Sequence, residues 1–194
     1  MTIYNSTFDR RESDYYPTLD APLIMPLLFD LIDLENVWEP SSGRGHLAIE
    51  LKKRGKLLNA SDLYDHPDKL CSISVGVDFL KQDVGPHGFR DIVMNPPYSE
   101  VDAHISHGLD LLPEKGYLVA LLRSDWSHAR CRQNLVTDER FFKEIKLTWR
   151  LRWIENTITS GKHNYSLFIW RRGVPTVPTI AFGYKLKGEA HARR

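Results

Sequence analysis

The sequence predicts an α/β protein with a doubly wound, mostly parallel sheet and helices on both faces. Three observations predict it. Short apolar runs alternate with helix-length amphipathic segments through the first two thirds of the chain, the pattern of strand–helix–strand units whose crossovers pack against a parallel sheet. One run, "GYLVALLR" at 116–123, is apolar without alternation, as in a strand buried on both faces. Several runs end in polar residues or in a glycine-containing loop, and such sheets bind ligands at the carboxyl ends of their strands.

Taken in order, residues 1–13 are polar and are expected to be flexible. Residues 14–184 are expected to form a single domain, followed by a basic tail at 185–194. In 18–33, apolar residues follow a capping Thr18 or Asp20 and an early Pro22, which predicts a helix that Pro26 kinks or divides. "NVWE" at 36–39 reads as a strand, then a loop "PSSGRG" and a helix "HLAIELKKRG" closed by Gly55. Further strands are predicted at 56–62, 72–79 and 91–95, a helix at 100–112, and the buried strand at 116–123. A polar helical piece at 127–137 precedes strands around 145–153, 165–172 and 179–185.

Composition narrows the functional classes. No apolar run approaches the roughly 20 residues that span a bilayer, because prolines and an aspartate interrupt the most apolar stretch, "APLIMPLLFDLI". The first residues are too polar for a secretory signal, and the two cysteines, Cys71 and Cys131, show neither a disulfide framework nor a zinc spacing. A cytoplasmic protein without a metal is therefore expected. Net charge is +1, but residues 1–100 carry 10 Lys and Arg against 16 Asp and Glu, and residues 101–194 carry 16 against 9. That asymmetry fits either ordinary solvated surface or a second half that faces a polyanion.

Four strand ends carry the candidate chemistry. Gly43 and Gly45 lie between a strand and a helix, where a ligand can approach bare backbone. Leu47 and Ala48 stand where a dinucleotide loop would place a third glycine, and Glu39 at the strand end would repel phosphates yet tolerate a cationic ligand. Asp62 follows Gly45 at nearly the offset of an acid that grips a ribose diol, or it is a loop carboxylate. Asp78 can accept from an adenine amine with Phe79 against the ring, or it simply ends a strand. The most specific segment is "NPPY", Asn95 to Tyr98. Its two prolines hold the backbone extended. The Asn95 carboxamide oxygen and a proline carbonyl can both accept from one planar NH2 group, and Tyr98 can stack on the ring that bears it. Two such acceptors stabilise the positive charge that develops as that nitrogen is alkylated.

In combination these segments resemble the S-adenosylmethionine-dependent amino methyltransferases, in particular the adenine-N6 DNA methyltransferases, in order from Tyr16 to Arg172. "YYPT" (15–18) is similar to the family's aromatic-x-Thr segment that closes over the methionine part of the cofactor, although Leu19 stands where a proline often follows. "EPSSGRG" is similar to its first cofactor motif, with Ser42 in place of a small apolar residue. "NPPY" matches its catalytic motif, which rRNA adenine and protein glutamine methyltransferases share.

The resemblance implies a Rossmann-like, seven-stranded sheet with S-adenosylmethionine as cofactor and S-adenosylhomocysteine as product. It implies cofactor contacts from Tyr16 and Thr18, from Glu39, Pro40, Ser41, Gly43 and Gly45, from Asp62 with Leu63, from Asp78 with Phe79, and from Asn95. Asn95, Pro96, Pro97 and Tyr98 would be catalytic. "HNYSLFIWRRG" resembles the strand whose aromatic packs on a flipped base, so that Tyr98, His163 and Tyr165 would contact substrate, although "YSLFIW" also reads as a core strand. DNA is the partner this implies. RNA adenine, a protein glutamine, or a non-catalytic subunit that needs a partner are the alternatives.

Only residues 124–144 separate the buried strand from the late strands, which leaves little for direct base readout. The compact form resembles phage- or prophage-borne methyltransferases without a target-recognition domain, and low sequence specificity is expected. Arg130, Arg132, Arg140, Lys143, Lys146, Arg150 and Arg152 would contact phosphates or simply charge the surface.

Overall fold

The computed structural model describes residues 15–155, 161–174 and 177–184. The segments expected to be flexible (1–13) or a basic tail (185–194) lie outside the described residues. The strands are β1 (Val37–Glu39), β2 (Leu57–Asp62), β3 (Ser74–Val75), β4 (Asp91–Met94), β5 (Tyr117–Arg123), β6 (Phe141–Leu147), β7 (Tyr165–Arg171) and β8 (Thr179–Gly183). They form one sheet in the order β3-β2-β1-β4-β5-β7-β6-β8. Every adjacent pair is parallel except the two made by β7. The helices are α1 (Ala21–Leu31), α2 (His46–Lys53), α3 (Val101–Leu111) and the short α4 (Gln133–Val136).

Side-chain alternation explains the two-sided core, because successive strand residues point to opposite faces. On β5, Tyr117, Val119 and Leu121 join the cluster under α1 and α2. Leu118, Ala120 and Leu122 join the cluster under α3. β7 divides in the same way, Leu167 and Ile169 on one face and Phe168 and Trp170 on the other. The uninterrupted apolar runs of the sequence are therefore strands buried on both sides.

Four expectations need correction. Among the described residues the sheet has eight strands rather than seven, because β8 adds in parallel to β6 from Lys143↔Thr179 to Leu147↔Gly183. Gly183 permits this, since a Cβ there would meet Leu27 of α1. The third strand is only Ser74–Val75, because Gly76 turns the chain at φ +77° and Asp78 caps a 3-10 turn by accepting from the Leu80 N–H. The expected strand around 145–153 lies earlier, at Phe141–Leu147. Beyond it the chain leaves the sheet, and Arg152 is anchored on Asp20, with Nε 2.8 Å and Nη2 2.6 Å from Oδ1. The polar helical piece is broken into 3-10 turns at Trp126–His128 and Arg130–Arg132 followed by α4.

One buried carboxylate fixes the lower edge of the sheet. Asp91, with no solvent exposure, accepts from the backbone N–H groups of Glu35 (2.6 Å) and Tyr117 (2.8 Å). Burial raises its pKa, against the pull of those N–H groups and of Arg90. Asp91→Ala leaves the buried Tyr117 N–H and the part-buried Glu35 N–H unpaired and is expected to destabilise the fold by about 2–4 kcal/mol, measured by urea unfolding.

Candidate active site

The strand order reverses between β1 and β4, and the crevice at their carboxyl ends is where open α/β sheets bind ligands. A cavity of about 440 Å³ opens there, within the ~300–1,000 Å³ range of small-molecule sites. Its walls come from the segment before α1, the loop after β1, the ends of β2 and β4, and the turn at Asp78.

The loop after β1 is held tightly. Ser42 Oγ donates to the Glu39 carbonyl (2.7 Å), Ser42 N–H to the Ser61 carbonyl (3.0 Å), and Gly45 N–H to the Ser42 carbonyl (2.7 Å). Gly43 and Gly45 both have positive φ, +55° and +89°. Gly43 lines the cavity, and a Cβ there would collide with the ring of Tyr15. Gly45 faces the other way: its Cβ would meet Cys71 and Ile73, so its bare backbone makes room for packing.

Asp62, at the end of β2, ties this loop to its own. One carboxylate oxygen accepts from Gly43 N–H (2.7 Å), the other from Tyr64 N–H (2.8 Å), with His66 Nε2 at 3.5 Å from that second oxygen. Each oxygen has two lone pairs, so the carboxylate retains capacity for hydroxyls in the cavity.

Glu39 is placed differently from its neighbours. It lies beneath the loop and not in the cavity wall, 2% exposed, and its Oε2 has no hydrogen-bond partner. Burial pushes its pKa well above the usual carboxylate range. The Ala48 N–H opposes that shift and the charge of Asp62 adds to it. A folded-state pKa above the unfolded value means that the unfolded chain loses this proton first, so stability falls as pH rises from about 4 through the folded value. Glu39→Gln removes the titration and is expected to unfold at a higher temperature than the native chain at neutral pH, with the difference shrinking towards pH 4. Thermal melts across pH measure it.

At the end of β4, Asn95 Nδ2 donates to the Tyr16 carbonyl (3.0 Å) and to Thr18 Oγ1 (3.2 Å). Asn95 Oδ1 is buried and has no partner. Pro96, Pro97 and Tyr98 line the same cavity. The Tyr98 hydroxyl donates to that of Tyr165 (3.2 Å), and the Tyr98 ring lies 5.3 Å from that of Tyr16. Tyr165 therefore stands behind Tyr98 rather than in the wall, 5% exposed and 4.8 Å from Trp153. Burial raises the pKa of its hydroxyl, and the bond from Tyr98 opposes the rise. His163 is exposed at the entry to β7.

The structure thus gathers Tyr16, Thr18, Pro40, Ser41, Gly43, Asp62, Leu63, Asp78, Phe79 and the NPPY residues around one cavity. Glu39, Gly45, Tyr165 and His163 lie outside its lining. Sequence reasoning missed His66 and His104. The first follows Asp62 by four residues. The second lies on the inward face of α3, with Nδ1 3.0 Å from the Glu100 carbonyl and its ring 5.4 Å from Phe79. A histidine at an apolar helical position was the available signal.

Of the arginines expected on a phosphate-facing surface, Arg132, Arg140 and Arg152 are in ion pairs with Asp102, Asp138 and Asp20. Among the described residues no helix is long and apolar enough to cross a membrane, and no cluster of His, Cys, Asp and Glu is placed to hold a metal ion.

The architecture has counterparts among solved structures. A protein of Listeria monocytogenes described as a class I S-adenosylmethionine-dependent methyltransferase superposes with a TM-score of 0.61 at 14% identity, over 92% of this chain and 68% of its own. A protein of Agrobacterium tumefaciens described as an O-methyltransferase gives 0.53 at 16% identity, over 89% and 86%. The Burkholderia thailandensis 1,6-didemethyltoxoflavin-N1-methyltransferase, solved with S-adenosylhomocysteine, gives 0.50 at 15% identity, over 78% and 76%. The fold is that of the class I, Rossmann-like methyltransferases. No protein-family model and no curated protein sequence matches the chain.

Proposed function

We propose that the chain is an S-adenosylmethionine-dependent methyltransferase that acts on an exocyclic amine, adenine N6 in DNA, with low sequence specificity. The observation that carries this reading is the buried, unpartnered Oδ1 of Asn95 in a cavity it shares with Gly43 and Asp62. An unpaired buried acceptor is costly, and a planar amine at this position would satisfy it.

The residues present fit the cofactor. A sulfonium-bearing nucleoside suits a site with two carboxylates in its wall, Asp62 and Asp78. Asp62 would accept from the ribose hydroxyls, Asp78 from the adenine amine with Phe79 beside the ring, and Pro40 and Ser41 would enclose the remainder. When bound, the cofactor supplies an electrophilic methyl group. Asn95 Oδ1 and the Pro96 carbonyl would accept from the two N–H groups of the target amine, holding its lone pair free and stabilising the charge that appears on nitrogen. Tyr98 would stack on the base. Water can take the proton from the methylated product.

The excess of Lys and Arg in residues 101–194, 16 against 9 Asp and Glu, supports a nucleic acid as substrate. Burial, followed by the positive field of Arg123, lowers the pKa of His163; Asp125 opposes this, and Arg150 and Lys162 reinforce it. Arg123, paired with Asp125, is the register partner of Tyr165 across β5 and β7, and the exposed His163 precedes Tyr165 by two residues; these side chains would hold a backbone phosphate without reading sequence. The described residues between β5 and β6 offer only two 3-10 turns and the four-residue α4, no element that would seat in a groove. A duplex adenine must leave the stack first, at a cost of a few kcal/mol.

A glutamine carboxamide or an RNA adenine presents the same flat NH2 group. Incubation with methyl-labelled cofactor and separate DNA, RNA and protein pools, followed by digestion and mass spectrometry, tests the reading. N6-methyladenine in the DNA pool is expected. Label confined to protein or RNA rejects DNA, and cofactor binding without turnover on any pool favours a subunit that depends on a partner.

A further inference from the structure

Resting on that reading of the pocket, we propose that Thr18 is a positioning residue whose hydroxyl, together with the Tyr16 carbonyl, locks the Asn95 carboxamide in its acceptor-presenting orientation. Asn95 then offers its oxygen only while residues 15–18 are docked.

The argument begins with hydrogen-bond chemistry. A carboxamide can turn over about its last torsion at little steric cost, and in a site it is oriented by its partners. The Tyr16 carbonyl has lone pairs only. The Asn95 atom 3.0 Å from it must therefore be the NH2 group, and the second N–H reaches Thr18 Oγ1 at 3.2 Å. Both donors are thereby used, and Oδ1 is left as the unpartnered atom. Reversed, the oxygen would face the Tyr16 carbonyl, acceptor against acceptor.

The two partners belong to one short segment that also reaches the other end of the cavity. The Tyr15 ring covers Gly43 and packs on His66 at 4.4 Å. The Tyr16 ring packs against Tyr98 at 5.3 Å and Trp153 at 6.2 Å. Thr18 is 5% exposed, and its carbonyl accepts from Ala21 N–H at 3.0 Å, which ties the hydroxyl to the first turn of α1. Docking of the segment over the glycine loop and orientation of the amide are thus one event. The resemblance alone would make Thr18 a cofactor contact; the distances give its hydroxyl a partner in Asn95.

The test compares Thr18→Val, Thr18→Ala and Thr18→Ser with the native chain. Valine keeps the shape and removes the acceptor, and serine restores it. Turnover on mixed-sequence DNA is expected to fall about tenfold in the first two and to recover in the third. The dissociation constant for S-adenosylhomocysteine, by calorimetry, is expected to stay unchanged. Hydrogen exchange of the Asn95 side-chain NH2, by nitrogen-15 NMR on the cofactor-free protein, is expected to accelerate about tenfold in the valine and alanine variants and not in serine. Wild-type turnover in Thr18→Val, affinity that falls in step with turnover, or unchanged exchange at Asn95 would overturn the proposal. Full activity of Asn95→Ala would instead reject the reading of the pocket itself, and the exchange measurement would still decide whether Thr18 holds the carboxamide.

Discussion

Asn95→Ala is expected to lower turnover about 10²–10³-fold while changing S-adenosylhomocysteine affinity by no more than about threefold. The asymmetry follows from where the two ends of the carboxamide point. Its NH2 group is spent on Tyr16 and Thr18, and its oxygen is buried without a partner in a residue that lines the cavity. In the proposed reaction that oxygen serves a donor that arrives with the substrate. Its contribution grows as the target nitrogen becomes positive, so its loss appears in the chemical step. Asn95→Asp is the stricter probe. It keeps an acceptor but sets a carboxylate oxygen against the Tyr16 carbonyl, and a loss comparable to that of alanine would show that orientation matters as much as acceptor strength. Single-turnover rates alongside calorimetric binding separate the two effects; unchanged turnover in Asn95→Ala would remove Asn95 from the chemistry.

Asp62→Ala is expected to act on binding instead. The carboxylate joins the loop after β1 to the loop after β2 through the N–H groups of Gly43 and Tyr64, and in the proposed complex it also accepts from a ribose. Hydrogen bonds to a charged group contribute about 1.5–3 kcal/mol each, so cofactor affinity should fall about 100-fold or more, with a lower melting temperature from the two orphaned N–H groups. Asp62→Asn should fall between the native chain and alanine, because one oxygen remains. A lower melting temperature with unchanged affinity would confine Asp62 to supporting the loops.

Much of the sheet was legible because its signals are local. The continuous apolar run of β5, the glycine turn after β1 and the prolines after β4 each depend on neighbours a few residues away. The parts that were not legible depend on distant partners. Asp20 looks like a helix cap, and it makes no side-chain cap bond to α1 because Arg152 takes its carboxylate. The strand sought at 145–153 ends at Leu147, and the chain beyond it reaches back to Asp20. Within the site, Glu39 has the expected position in sequence but sits under the loop, and Tyr165 supports Tyr98 from behind. Trp153 gave no motif to recognise, since its place follows from the return of residues 151–153 towards Tyr165.

By itself the sequence determined the alternation of strands and helices, the two-sided burial of the central strands and the presence of NPPY at a strand end, because side-chain periodicity and proline geometry act over a few bonds. Only the tertiary structure decided which way the Asn95 amide faces, which carboxylates reach the cavity and which aromatic rings surround it. Those depend on hydrogen bonds and packing between residues far apart in the chain, such as Tyr16 and Asn95, which no local pattern encodes.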